Sequence, residues 1–200
     1  RFVVLPLENL TSEPELDVWG KLAADQMARA IDQPRPVPVV PSSTVAAAIR
    51  GLGDAATTES VAEAVKATHA FAGTVSTVGG QMRFEVELID VRSGDRLRTL
   101  DVISGPSSAA DSLVATLAGL SATVAVAHLD PGSPPWLAGA TIPVSLTAFE
   151  AYLEQSEIFC TGDNAGSLGP GMCAVELSPG FNSAIYLLMV AHGNLGNNFE

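Results

Sequence analysis

Residues 70–100 read AFAGTVSTVGGQMRFEVELIDVRSGDRLRTL, and this stretch decides the fold. It opens three β segments in succession: Ala70 to Val78, Met82 to Val91 and Arg96 to Ile103. Gly79-Gly80 separates the first two, and Arg92-Ser93-Gly94-Asp95 separates the second from the third. Both breaks are hairpin turn chemistry, since glycine reaches the positive φ such turns need. The middle segment alternates, with Phe84, Val86, Leu88 and Asp90 on one face and Arg83, Glu85, Glu87 and Ile89 on the other. One buried face and one wet face predict an antiparallel meander covered by helices.

Upstream, strand and helix signals alternate. Phe2 to Pro6 reads as a short apolar strand, and Val37 to Val40 as a second one fenced by Pro34, Pro36, Pro38 and Pro41, a proline density suited to a sheet edge. Between them the spacing predicts a helix to about Ile31, burying Leu16, Trp19, Leu22, Ala23, Met27 and Ala30. Two further helices are expected, one capped at Ser42-Ser43-Thr44 and one beginning at Thr57-Thr58-Glu59.

Downstream, Ser112 to Leu129 carries no charge apart from His128. That length is at the lower limit for crossing a membrane. However, Leu113, Leu117, Leu120 and Val124 fall three to four apart, which marks one face of a packed helix; no direct membrane insertion is expected. Asp130-Pro131-Gly132-Ser133-Pro134-Pro135-Trp136 then ends the domain. The organisation read from these signals is an α/β domain over residues 1–128, a Pro/Gly linker over 129–143 and helices over 144–200.

The last segment contains a repeat. Gly162-Asp163-Asn164 and Gly196-Asn197-Asn198 lie 34 residues apart, each closing an apolar helical run. A 34-residue period with paired helices is the signature of a tetratricopeptide repeat (TPR). The chain then supplies one TPR-like helical hairpin, with helices at about 145–161 and 165–177, and the first helix of the next at about 182–195. Gly169-Pro170-Gly171 falls inside the second helix. Proline costs about 3 kcal/mol in a helix interior, so that helix is expected to be short, kinked or late to start.

Leu5-Pro6-Leu7-Glu8-Asn9 with Thr11, Glu13-Pro14-Glu15, Gly20 and Leu22, and then Gly73-Thr74-Val75, Arg83, Leu88-Ile89-Asp90-Val91 and Ser93-Gly94, together resemble the TolB-like amino-terminal domain of bacterial multidomain proteins. Members of that family commonly continue into tetratricopeptide repeats. The resemblance implies an α/β domain with a mixed five-stranded sheet and packed helices, without enzymatic activity of its own. It also implies a place in a larger signalling or envelope protein, such as one carrying a serine/threonine kinase or cyclase domain, and favours an extracytoplasmic location over a cytoplasmic one.

Charge and composition narrow the function. The chain carries a formal charge of −12, with all ten Lys and Arg at or before Arg98. Asp101, Asp111, Asp130, Glu150, Glu154, Glu157, Asp163, Glu176 and Glu200 follow with no basic residue among them. Such a chain has little with which to neutralise phosphate, so nucleic acid and anionic membranes are excluded and a cationic partner is left open. Only 16% of residues are charged, which points to apolar surface facing a partner or the rest of a longer polypeptide. Arg1 running straight into Phe2-Val3-Val4-Leu5, and Glu200 closing an unfinished repeat, fit the latter.

No catalytic constellation is visible. His69, His128 and His192 are scattered, Cys160 and Cys173 have no metal-ligand spacing, and neither a nucleophile elbow nor a phosphate-binding glycine loop occurs. No metal or cofactor is expected, and the two thiols are expected to be buried. Glu85 and Glu87 share a strand face, which reads first as solvated surface.

The expectation is therefore a non-catalytic protein- or peptide-binding module. Its candidate groove comprises Phe149, Tyr152, Ser156 and Phe159 from one helix and Tyr186, Val190 and Asn194 from another. The lack of Lys and Arg excludes a basic clamp for a peptide carboxylate. One alternative is a purely structural cap for a helical array; another is a hydrolase using the strand carboxylates, which a clustered, buried pair would favour. Oligomeric state is not legible.

Overall fold

The computed structural model describes residues 1–32, 37–129 and 146–196. Among them, six strands form one sheet: β1 (Phe2–Val4), β2 (Glu8–Asn9), β3 (His69–Val78), β4 (Gln81–Asp90), β5 (Arg96–Thr99) and β6 (Ile103–Pro106). β1 and β2 both run parallel to β3, with Phe2 opposite His69 and Glu8 opposite Thr74. β3 pairs antiparallel with β4, His69 opposite Asp90 and Val78 opposite Gln81. β5 and β6 pair antiparallel with opposite ends of β4, at Glu87–Ile89 and Gln81–Phe84. The fold is mixed α/β with a mixed sheet.

The strand count corrects the expectation of five. Val37 to Val40 is not a strand: it makes a single bridge, Phe2 to Val39, in which Phe2 N donates to Pro38 O (2.8 Å) and Val40 N to Phe2 O (2.9 Å). Pro38 and Pro41 have no N–H with which to extend that ladder. The expected strand from Arg96 to Ile103 is two, parted at Leu100–Val102, and the register on β4 shifts between Leu88 and Ile89. Glu8–Asn9, read as turn, is a short parallel strand.

Alternate residues of β1 and β3 serve opposite sides of the sheet, as the two-residue strand period requires. Val3, Leu5 and Ala70 join Val45, Val61, Ala62 and Val65 in a core cluster, the latter four from α2 (Ser42–Leu52) and α3 (Thr58–Ala64) with its following turn. Phe2 and Phe71 stack at 5.8 Å, and Met82, Phe84, Val86 and Leu88 of β4 are buried while Arg83 and Glu85 are exposed. α1 (Pro14–Asp32) packs near Val75 and buries Leu16, Ala23, Met27 and Ile31. Leu22 stays exposed, and Trp19 and Ala30 are half-buried. Gly20 is where α1 meets the chain: a Cβ there would sit 2.4 Å from the Leu7 carbonyl oxygen, which itself belongs to a residue whose N–H bonds Gly20 O.

α4 (Ala110–Leu129) departs from the one-faced helix read in the sequence. Leu117, Ala118, Leu120 and every residue from Ser121 to Val126 are buried, so burial runs all round the second half of the helix, while Asp111, Ser112 and Ala115 in the first half are exposed. The segment Ser107–Leu129 is long and apolar enough to be a membrane span by length and composition, and over half of its most apolar window is covered by protein. A core helix that is apolar all round has the same composition.

The chain divides into two compact units, Arg1–Ala122 and Thr123–Glu200, with the division inside α4. Of the stretch read as a linker (129–143), Leu129 ends α4 and 130–143 lie outside the described residues, as do Pro34, Pro36, Asn197, Asn198 and Glu200. In the second unit three helices follow one another: α5 (Leu146–Cys160), α6 (Asn164–Leu177) and α7 (Asn182–Asn194). Gly162 (φ +87°) and Gly196 (φ +71°) each end a helix in the left-handed conformation, so the two glycines that set the 34-residue spacing are helix stops.

α6 is continuous from Asn164 to Leu177 with Pro170 inside it, against the expectation of a broken helix. Asp163 caps it, accepting from Gly166 N at 2.8 Å. The missing proline N–H removes one rung, and packing on both flanks offsets that loss: a Cβ on Gly171 would fall 2.3 Å from Gln155 Nε2 of α5 and 2.7 Å from Leu188 Cδ2 of α7. Cys160 and Cys173 are free and exposed, which corrects the expectation of buried thiols; Cys160 ends α5 and Cys173 lies on the outward side of α6.

Candidate interaction surface

The residues read as one groove divide into two environments. On α5, Phe149, Tyr152 and Gln155 recur every three residues and are all fully buried. Tyr152 meets Phe181 edge-on at 4.9 Å and Phe149 at 6.3 Å, an aromatic core. Phe149 and Tyr152 thus pack inside and do not line an open surface. Ser156 and Phe159 are half-buried. The Tyr152 hydroxyl and both polar atoms of the Gln155 amide are buried without a hydrogen-bond partner. Burial, reinforced by the Cys160 thiol, pushes the Tyr152 phenol up to about 12.

α7 is different. Ala184 and Ala191, two turns apart, face inward with Ser183. Tyr186 is 65% exposed and Met189 54% exposed; Val190 beside them is half-buried and Asn194 exposed. Tyr186, Met189 and Val190 fall at i, i+3 and i+4, one outward stripe. No Lys, Arg, Asp or Glu occurs anywhere in α7. Met189 lies outside the four-residue step from Tyr186 to Val190 and is reached only by the three-residue step, which is the signal in the sequence that points to it.

Polar contacts frame this helix. Asn194 Nδ2 donates to Asn164 Oδ1 at 3.0 Å, bringing the end of α7 to the start of α6 beside Asp163. Glu176 is exposed in the last turn of α6, just before the turn in which Phe181 N bonds Ser178 O and the chain enters α7. Residues 146–196 hold Glu150, Glu154, Glu157, Asp163 and Glu176 and no Lys or Arg.

In the α/β unit the two strand carboxylates read as a pair, Glu85 and Glu87, do not converge. Glu85 pairs with Arg83, while Glu87 pairs with Arg96. Glu87 lines a cavity of about 540 Å³ with Glu8, Lys21, Leu5, Ile49 and Val61, and Glu85 is not part of that lining. Among the described residues no group of three His, Cys, Asp or Glu could hold a metal ion. Asp90 serves the hairpin: its carboxylate accepts from Arg92 N (2.8 Å) and Ser93 N (3.2 Å).

The class these features define is a mixed α/β unit joined to a unit of packed helices. No family model matches the chain, and no curated protein matches it. Among solved structures it is similar to Escherichia coli LpoB (TM-score 0.41, 15% identity, covering 49% of this chain and 52% of that one). It is also similar to the PelC dodecamer from Paraburkholderia phytofirmans (TM-score 0.37, 21% identity, 58% and 83%). A third likeness is lipoprotein GNA1162 from Neisseria meningitidis (TM-score 0.42, 20% identity, 54% and 81%). The chain spans about half the length of the LpoB chain. These findings correct the resemblance to a TolB-like domain with tetratricopeptide repeats: LpoB, PelC and GNA1162 are among the similar structures, and no family model matches the chain.

Proposed function

We propose that this chain is a non-catalytic protein-binding module whose second unit presents α7 to a protein or peptide partner. The observation that carries the reading is the joint exposure of Tyr186 and Met189 on a helix without a single charged carboxylate, ammonium or guanidinium. Large aromatic and methionine side chains left in water are unfavourable alone and are enriched at the centres of protein interfaces.

The absence of catalysis is part of the proposal. It is supported by the arginine pairing of Glu85 and Glu87 and by their separation with respect to the cavity that Glu87 lines. Carboxylates that are solvated and neutralised lack the coupled, desolvated setting that acid–base work needs. The absence of Lys and Arg beyond Arg98 argues against phosphate-rich partners for the second unit.

The test is capture of a partner by residues 1–200 compared with Tyr186→Ala/Met189→Ala, both carrying the same tag. Specific capture that is lost in the variant, with helical content unchanged, supports the reading. Equal capture by both overturns the assignment of α7. Tyr152 is left intact because its ring is part of the core. An extracytoplasmic site of action goes with the proposal and stands on its own test: fusions to reporters active only outside or only inside the cytoplasm.

A further inference from the structure

We infer that the partner of α7 is a cationic amphipathic segment, apolar along its middle and bearing Lys or Arg at both ends. This rests on the reading of α7 as a docking face.

α7 spans Asn182–Asn194, about 20 Å at 1.5 Å per residue. Its outward middle is apolar, through Tyr186, Met189 and Val190. Each end has an exposed carboxylate nearby, at the cap of α6 and in its last turn. Asp163 adjoins Asn164, whose side chain accepts from Asn194 at the end of α7, and Glu176 immediately precedes the turn that starts α7. An apolar centre with a charged rim is the layout of a specific interface.

The sign of the rim discriminates among occupants. With Glu150, Glu154 and Glu157 also present and no Lys or Arg in residues 146–196, the unit repels an acidic partner and cannot neutralise its own field. A second copy of this chain, itself at −12, would bring like charge to like charge. A neutral apolar segment would use the stripe and gain nothing from the rim. Lys or Arg flanking an apolar middle answers both features, with the rim raising the association rate and imposing salt dependence.

The probe is a helical peptide of Leu and Lys about 14 residues long, matched to the helix at 1.5 Å per residue. Its counterpart carries Glu in place of every Lys. Both are dye-labelled and titrated with the full chain, read by anisotropy. The Lys peptide is expected to bind at least about tenfold tighter than the Glu peptide and to weaken about tenfold between roughly 0.05 and 0.5 M salt. Tyr186→Ala/Met189→Ala is expected to reduce its affinity about tenfold. Asp163→Asn/Glu176→Gln is expected to weaken the Lys peptide alone about threefold, asparagine keeping the cap of α6.

Equal binding of the two peptides, sensitive to the Tyr186/Met189 substitutions and indifferent to salt, overturns the cationic partner while leaving α7 a docking face. Lys-peptide binding that survives those substitutions overturns the inference as non-specific charge attraction. Binding of neither peptide removes α7 as a docking face altogether. Concentration-dependent dimerisation abolished by Tyr186→Ala/Met189→Ala makes a second copy the occupant and overturns the inference.

Discussion

Tyr152 of α5 and Phe181 at the start of α7 meet edge to face, ring centroids 4.9 Å apart and planes at 65°. The contact joins two helices separated in sequence by the whole of α6, and it buries a hydroxyl that has no partner. Shape and hydrogen bonding therefore pull in opposite directions at one residue.

Tyr152→Phe is expected to keep the ring contact and remove the unpaired hydroxyl, changing stability by about zero to +1 kcal/mol. Tyr152→Ala is expected to cost about 3–5 kcal/mol through the cavity it leaves. Denaturant unfolding followed by helical circular dichroism separates the two. Destabilisation by Tyr152→Phe beyond about 1 kcal/mol would mean that the hydroxyl is hydrogen-bonded.

The same phenol sets an alkaline limit. Its folded pKa, about 12, lies above the ordinary 10.0 because the neutral form is buried. Between those values the unfolded chain has lost the proton and the folded one retains it, so stability is intact below pH 10 and falls as pH rises toward 12. Unfolding midpoints measured across that interval should decline in the native chain and decline less in Tyr152→Phe.

Gly169 and Gly171 lie two apart in α6 and should differ in their response to alanine. At Gly169 no atom beyond its chain neighbours approaches a Cβ, but the Pro170 ring crowds the Cβ of a preceding helical residue, so the propensity gain is offset and Gly169→Ala is expected to change stability by less than about 1 kcal/mol. At Gly171 the added methyl meets Gln155 and Leu188 below 3 Å, and a net loss of about 1–3 kcal/mol is expected. Combining Gly171→Ala with Gln155→Ala should recover part of it; thermal unfolding of the three variants decides the matter.

Gly73 is the corresponding point in the sheet. A Cβ there would lie 2.1 Å from the Glu85 carbonyl oxygen on β4. Gly73→Ala is expected to cost on the order of 3 kcal/mol, because backbone and not a flexible side chain must move. Hydrogen exchange should show the loss first at Gly73 and Val86, its paired residue.

The Asp90 carboxyl should titrate below its ordinary 3.8, held there by the N–H of Ser93 first and that of Arg92 second. The depressed value means that its contribution to stability is present above 3.8 and is lost as pH falls through the folded pKa. A carbon-detected NMR titration reads the midpoint directly, and Asp90→Ala should abolish the acid-side loss of the β4–β5 turn.

The parts of the fold legible in sequence were those with local causes. Gly79, Gly80 and Gly94 all have positive φ, and the alternation from Met82 to Leu88 matches the burial of β4. Gly162 and Gly196 marked real helix ends, though the 34-residue spacing was over-read as a repeat family. β2 was not legible, since two residues carry no pattern and its partner lies at Thr74–Val75. Nor was the continuity of α6 through Pro170, which depends on α5 and α7 closing on Gly171.

For the surface, periodicity told which side chains share a helix face but not whether that face is covered. Phe149 and Tyr152 have the same spacing and character as Tyr186 and Met189, yet the first pair is fully buried and the second mostly exposed. By itself the amino-acid order determined the meander, its turns, the helix ends and the uneven charge, because each follows from backbone preference or composition. Which aromatic residues became core and which became surface was decided only by tertiary packing, because burial depends on what else the chain brings to that face.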